Sequence, residues 1–549
     1  MKIFFKINNY TIATFGLFGF LFFHFAKEML QEKLDGWYVG QVNLYGDLVF
    51  HLGFINKFLE SGILLPESPV YAGSKPNYPI FADFLTAQIA KFTSIDFSLF
   101  ATTFLAGILT IYVVRYFILN FIKNEKIVFI AFLLFFLNGG FGFYYFFNDF
   151  FTSQKSFVDF VISLPHEYTD LKSKGFWWIN SYLAYFLPQR GFLFAFPITL
   201  TILNLLHVGF MKTKRHFFVL AGLLAGVLPL VQAHSLFVLF IVSACAAIFT
   251  TLTSKFKKEV IVNWIIFATL TIVVSLPLFN VISTETNPLK YIRFDPGWTS
   301  QENILWFWLK NLGLFGPILL VSLTWLYKKN RHFFLIYLPF LLMFLISNVF
   351  VFQPWDFDNS KLLIYWFFAS TIIVAYFLND QFFAENLSKK IIGVVFIFFM
   401  IFAGSLDVIR TFTPITSYQI FSNDDLEIAA RVKMLTQKDS RFITASNHNH
   451  PIPALTGRST ILGFHGWVWS HGLDFQERAS DVQKVYQGGN VAEDVIKKHK
   501  INFVTIGPLE KSTYSINESF FLKFPSIILG NDWILYDVSH LWTNSNRQN

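Results

Sequence analysis

Runs of about 20 consecutive, mostly apolar residues recur along the chain, and no other feature restricts the fold so sharply. A helix rises about 1.5 Å per residue, so such a run covers the roughly 30 Å of bilayer hydrocarbon. About eleven runs are long enough to be read as spans. They lie near 8–26, 97–121, 127–147, 192–211, 217–233, 235–253, 260–282, 304–326, 333–352, 362–378 and 391–409. Only 14% of the 549 residues are charged and 54% are hydrophobic, with 73 phenylalanines. A soluble domain carries about 25% charge, and disorder or collagen needs compositions that are absent here. The net charge of +8 would suggest nucleic acid in a soluble chain. It does not in a chain built of apolar runs, so no nucleic-acid partner is expected. The lone cysteine, Cys245, allows no intrachain disulfide. Met1–Lys6 followed by an apolar stretch resembles a secretory leader, but no small-residue cleavage site follows, so a retained first span is expected.

The basic residues set the expected orientation. Lys123 and Lys126, Lys212, Lys214 and Arg215, Lys255, Lys257 and Lys258, Lys328, Lys329 and Arg331, and Lys389 and Lys390 occupy five short connections. All five fall on one side when the spans are threaded, which predicts a cytoplasmic N-terminus. The opposite face then carries a long first loop (27–96), a second (148–191), a third (283–303), a short one at Phe352–Lys361, and the tail. The tail reads as a small α/β domain. Helices are expected near Asp424–Thr436, Asp474–Tyr486 and Ala492–His499, and strands at Arg441–Ala445, Phe503–Gly507 and Trp533–Val538. The predicted division is a membrane module over 1–410, including the first loop, and an extracytoplasmic domain over 411–549.

In the first loop, Leu48, Leu52, Ile55 and Leu59 recur at helical spacing, which predicts an amphipathic helix on the membrane surface, ending at Ser61-Gly62. Asp47 and His51, one turn apart, share a face beside that stripe. A carboxylate there can take a proton from an attacking hydroxyl while an imidazole orients it or binds phosphate. The plainer reading has Asp47 capping the helix and His51 at the interface. The stretch Tyr78–Thr93, with Asp83 and Lys91, is too short to span and is expected at the interface.

An apolar first span, an outer loop whose acid opens a helix (Gly46–Pro79), the segments Leu187–Phe196 and Gln353–Trp366, and an outer C-terminal domain resemble the GT-C superfamily. These are multispanning glycosyltransferases that use polyprenyl-phosphate sugars, among them protein O-mannosyltransferases, the aminoarabinose transferase of lipid A and oligosaccharyltransferases. The resemblance implies an α-helical polytopic membrane protein with a GT-C-like fold, and puts Asp47 in the place of the acid of the first outer loop. O-mannosyltransferases pair two adjacent acids there, whereas Leu48 follows Asp47 in this chain. A second carboxylate would have to come from elsewhere.

Other polar groups gather at the ends of spans. Arg190, in Pro188-Gln189-Arg190-Gly191, is a cation opening an apolar helix on the outer side. A membrane-edge charge is costly, so it is a site candidate for gripping a lipid phosphate, with snorkelling as the alternative. Lys361, in Gln353-Pro354-Trp355-Asp356-Phe357-Asp358-Asn359-Ser360-Lys361, sits at another outer mouth. There Lys361 would meet phosphate or sugar while Asp356 and Asp358 bind hydroxyls or a cation; a self-satisfied turn is the alternative. His166 and Glu167 in the second outer loop join the binding candidates, and Gln232, His234 and Ser235 form a tight outer turn. Trp467 and Trp469, in Gly463–Gly472, suit a loop that covers the site or stacks on a sugar, or else an interfacial anchor. His448, His450, His465 and His471 match no compact zinc spacing.

No Gly-rich nucleotide loop, His-Glu-x-x-His helix or Gly-x-Ser-x-Gly elbow is present. The expected protein is an inner-membrane glycosyltransferase. It moves a sugar from a polyprenyl-phosphate donor to a hydroxyl of a glycan, lipid or protein, with Asp47 as base and His51, Arg190 or Lys361 holding the phosphate. Metal dependence stays open: Asp47, Glu167 and Asp356 could make an oxygen-rich site for magnesium or manganese, whereas the resemblance to O-mannosyltransferases implies none. A lipid or sugar flippase would place charges mid-span, where few occur. A non-enzymatic assembly factor would leave Asp47, Arg190 and Lys361 apart.

Overall fold

The computed structural model describes residues 8–283, 288–530 and 532–543. The N-terminal Met1–Lys6 segment and residues 284–287 of the third outer loop therefore lie outside the described residues. The chain forms two compact units. One comprises Met1–Lys27, Thr103–Pro277 and Leu289–Thr416, the other Glu28–Thr102, Leu278–Pro288 and Ser417–Asn549.

The first unit is helical. Over the whole chain, seven helices of the described residues are long and apolar enough to cross a membrane: Asn9–Glu28, Ile95–Phe121, Arg190–Lys212, Ala233–Thr253, Lys257–Ile282, Asp356–Phe383 and Leu387–Arg410. Ile304–Leu312 and Phe315–Lys329 form an eighth apolar stretch, bent by 96°, and Arg215–Val231 and Arg331–Ser347 are shorter apolar helices. Each expected segment is thus helical where the apolar run predicts it, but 127–147 breaks after Glu125–Phe136. The reason is backbone contact at Gly140, where a Cβ would lie 2.4 Å from the carbonyl oxygens of Lys310 and Asn311. The bend in the eighth stretch falls at Gly313, whose φ of +58° favours glycine.

Lipid tails are as apolar as side chains, so spans are held by packing rather than by a hydrophobic drive. The phenylalanines serve that packing. Phe22 meets Tyr182 at 4.8 Å and Phe136 at 5.9 Å between ring centres, and Phe196 meets Phe135, Phe186 and Phe368 at 5.2–5.5 Å. Two short strands, β3 (Arg293–Phe294) and β4 (Phe350–Val351), pair antiparallel.

The second unit holds the remaining strands: β1 (Gln31–Lys33), β2 (Gly36–Val39), β5 (Tyr418–Ser422), β6 (Arg441–Ile443), β7 (Ser459–Thr460), β8 (Phe503–Ile506), β9 (Ser526–Ile528) and β10 (Ile534–Asp537). One sheet runs β7-β6-β8-β10-β9, parallel across β7, β6 and β8 and antiparallel beyond. Helix Asn423–Leu435, started by a Ser422/Asp425 capping box, closes its core with Ile428, Val432, Phe442, Ile452 and Trp533. The other sheet is β1-β2-β5, so the first loop and the tail share hydrogen bonds from Gly36 to Val39. The sequence reading grouped the first loop with 1–410. In the structure it folds with the tail, because β2 lies against β5.

Helix Tyr45–Ser61 departs from expectation too. Every residue from Leu48 to Phe58 is buried, so it is no amphipathic surface helix. The polar residues on its supposed outer face meet the tail: Asn56 donates to the Ala454 carbonyl at 3.1 Å, and Lys57 to Ser459 at 2.8 Å. Burial pushes the Lys57 ammonium below its ordinary range, against the pull of Glu67. Periodicity alone cannot reveal a partner that arrives from about 400 residues away.

Candidate functional site

Asp47 lies in the first turn of helix Tyr45–Ser61 and is half-buried. The N-cap residue is Leu44, which offers no side-chain acceptor, so Asp47 is not the cap. A carboxylate in a first turn is favoured by the positive end of the helix dipole. One turn on, His51 is 2% exposed, so it is not interfacial. Its Nδ1 donates to both oxygens of Asp83, at 2.9 and 3.0 Å. Asp83 is itself fully buried on helix Phe81–Ala90, whose buried face also carries Ala82, Thr86 and Ala87. The pair fixes the imidazole's tautomer and leaves Nε2 as its remaining nitrogen.

Aromatic rings surround this turn. Tyr78 lies 5.8 Å from His51 and 4.9 Å from Phe50, while Phe50 also meets Trp467 and His471 at 5.3 and 4.9 Å. His448 stands beside Gly46, 5.3 Å from the Tyr45 ring, and stacks on Phe464 at 3.5 Å. Burial and then the neighbouring His465 lower the affinity of His448 for a proton. Trp467 is buried in this cluster, whereas Trp469, on the same short helix His465–Ser470, is 43% exposed. The two tryptophans thus have different surroundings, which their shared Gly- and His-rich context did not distinguish.

The helical unit carries the cations. Arg190 is the first residue of its helix and 1% exposed, so it does not snorkel. Its Nη1 donates to Thr103 Oγ1 at 3.2 Å. Lys361 is mostly buried and pairs with Asp358 at 3.0 Å. The turn around it is firmly tied. Asn359, fully buried, donates to the carbonyls of Ser347 and Phe350 and accepts from Gln353. Asp356 forms an ion pair with Arg293, and its carbonyl accepts from Trp298 Nε1. His234 reaches Gln353 at 3.1 Å, and Ser235 reaches Tyr365 at 2.7 Å. The two turns noted separately in the sequence therefore meet.

Glu167 pairs with Arg410 at 3.5 Å, and His166 beside it is exposed. Asp407 anchors the same loop by accepting from the amides of Tyr168 and Thr169 and from the Thr169 hydroxyl. Sequence reasoning did not single out Asp407. A carboxylate near the end of an apolar helix was the available signal. Among the described residues, no group of three or more His, Cys, Asp or Glu could hold a metal ion. Glu167 and Asp356 are each committed to an arginine. These acids do not fit the oxygen-rich set that magnesium or manganese takes.

No family model and no curated protein matches the sequence. Solved structures do match. ArnT from Cupriavidus metallidurans in the apo state aligns with a TM-score of 0.52, over 97% of this chain and 98% of that one, at 10% identity. The chain has the fold of ArnT. The structure of ArnT bound to undecaprenyl phosphate aligns with a TM-score of 0.51, with the same identity and coverage. This fold agrees with the polytopic helical architecture expected from the spans. With its apolar helices it makes the chain an integral membrane protein. At 10% identity the ArnT likeness is one of fold.

Proposed function

We propose that the chain is a membrane glycosyltransferase that moves a sugar from a polyprenyl-phosphate donor to an acceptor hydroxyl at the extracytoplasmic face. The observation that carries this reading is the match, over nearly the full length of both chains, to ArnT bound to undecaprenyl phosphate. In the proposed reaction the acceptor oxygen attacks the anomeric carbon as the bond from that carbon to the phosphate oxygen breaks. The hydroxyl proton passes to the Asp47 carboxylate, and the polyprenyl phosphate leaves with the bonding electrons. A single displacement inverts the anomeric centre.

A phosphate monoester needs little chemical assistance to leave, so the protein's task is positioning and charge stabilisation. Arg190, always protonated and held by Thr103, suits a forked grip on phosphate. Lys361 is a point charge whose direction is set by Asp358. His51, its Nδ1 donating to Asp83, offers Nε2 as an acceptor when the ring is neutral and as a donor to phosphate when it is protonated. Trp469, the more exposed of the two tryptophans, supplies a ring face that suits a sugar, and Trp467, earlier in the same short helix, packs beside Phe50. No step requires a metal.

The test is a panel of polyprenyl-phosphate monosaccharides presented to the purified protein in lipid nanodiscs with membrane extract as acceptor. Release of polyprenyl phosphate, with a product of inverted anomeric configuration, is expected for one donor. Retention of configuration would contradict the single displacement, and no turnover with any donor would remove the function.

A further inference from the structure

A cavity in the first unit is lined by none of the residues assigned to sugar transfer. It measures about 420 Å³ and is lined by helices of the first unit. That size is in the range of pockets that hold organic ligands, about 300–1,000 Å³. Its walls follow helix Arg190–Lys212 from Leu203 to Met211 and helix Ala233–Thr253 from Val242 to Thr250. Eight residues of helix correspond to about 12 Å of depth. The walls are mainly apolar, with Phe249 and Trp264 among them. The Trp264 N–H is already satisfied by Thr250 at 2.9 Å. Two imidazoles, His207 and His332, also line the space.

The position of this cavity along the bundle is informative. Met211 and His332 line it, and each adjoins an exposed cation, Lys212 and Arg331. Lys214 follows helix Arg190–Lys212, and Arg215, Lys257 and Lys258 open the helices Arg215–Val231 and Lys257–Ile282; all four are also exposed. The apolar lining is thus flanked in sequence, at Met211 and His332, by exposed cations, which we read as its rim. A neutral hydrocarbon would gain nothing from that rim, and a soluble anion would gain nothing from the walls.

We propose that this cavity binds an anionic glycerophospholipid of the leaflet facing the basic connections. One acyl chain would fill the apolar interior, and the phosphate would sit among His332, Arg331 and Lys212. The apolar depth supplies chain burial, and the rim supplies headgroup selection through attraction of anionic lipid by lysine and arginine. This lipid is structural or regulatory and is no substrate, so the site stands whether or not sugar transfer is the activity.

The full-length protein is purified in mild detergent, incubated with equal amounts of phosphatidylglycerol and phosphatidylcholine, and examined by native mass spectrometry. One phosphatidylglycerol is expected to be retained in preference. Lys212→Ala and Arg331→Ala, both at exposed positions, are each expected to weaken that preference by about fivefold. Ala246→Phe, which fills the cavity, should remove the bound lipid while the thermal melting profile stays cooperative. If that variant fails to fold, the rim variants decide the matter alone. Equal retention of both lipids, rim variants with undiminished preference, or displacement of the phospholipid by added polyprenyl phosphate would overturn the assignment.

Discussion

Asp47 and His51 share one turn of helix, but their surroundings divide the work between them. Asp47 is half-buried at the opening of the helix, as the proposed general base would need to be, whereas His51 is held inside by Asp83. If Asp83 sets the tautomer of His51, Asp83→Asn should lower the turnover rate by about 10²-fold or more while leaving the KM for donor nearly unchanged. An equal loss for Asp83→Asn and Asp83→Ala, with a melting temperature reduced in both, would make the pair merely structural. The spacing of Asp47 and His51 was legible in the sequence. Asp83 was not recognisable as a partner, because it lies 32 residues away and contact between them requires the fold. The pairing of Asp358 with Lys361, at i,i+3, was by contrast within reach of helical spacing and of the self-satisfied turn that the sequence offered as an alternative.

The elements show where periodicity succeeds and where it stops. Apolar runs placed the long helices because a bilayer demands length. The break after Phe136 depends on Gly140 touching a distant backbone, which no local pattern encodes. Gly140→Ala should cost about 1–3 kcal/mol by overpacking, measurable as a lower melting temperature. In the α/β unit, Glu510 is fully buried, pairs with His450 at 2.7 Å, and accepts from the amides of Ala445 and Gly507. Burial alone would raise its proton affinity, but His450 and the amides override it and hold the carboxyl below its ordinary range. A carboxyl depressed in this way contributes stability above its unfolded range and loses it as pH falls through the folded value. Acidification below about pH 4 should therefore loosen this unit. Glu510→Gln should remove about 3–5 kcal/mol at neutral pH, because it leaves a buried partner uncompensated. An unfolding midpoint independent of pH from 7 to 3 would contradict the role given to this pair.

For the whole molecule, the sequence disclosed the apolar segments, the basic connections and the α/β character of the tail. It did not disclose that residues from Glu28 to Thr102 belong with the tail, since that union rests on β2 pairing with β5 and on Asn56 and Lys57 meeting the segment Ala454–Ser459. A chain ended at Thr416 should accordingly lose transfer and expose the first loop to protease. The basic connections predict orientation. With Cys245→Ser as background, a membrane-impermeant thiol reagent should label Trp469→Cys in intact cells and label Lys328→Cys only after permeabilisation. The reverse pattern would invert the topology. The central claim joins the ArnT-like fold to an acid at the mouth of a helix, and the most direct test of it is sugar transfer from a polyprenyl-phosphate donor by the wild-type protein and by Asp47→Asn. The account predicts transfer by the wild type and a loss of about 10²–10⁴-fold in the variant, with unchanged folding and donor binding. Equal transfer by the two proteins would contradict it.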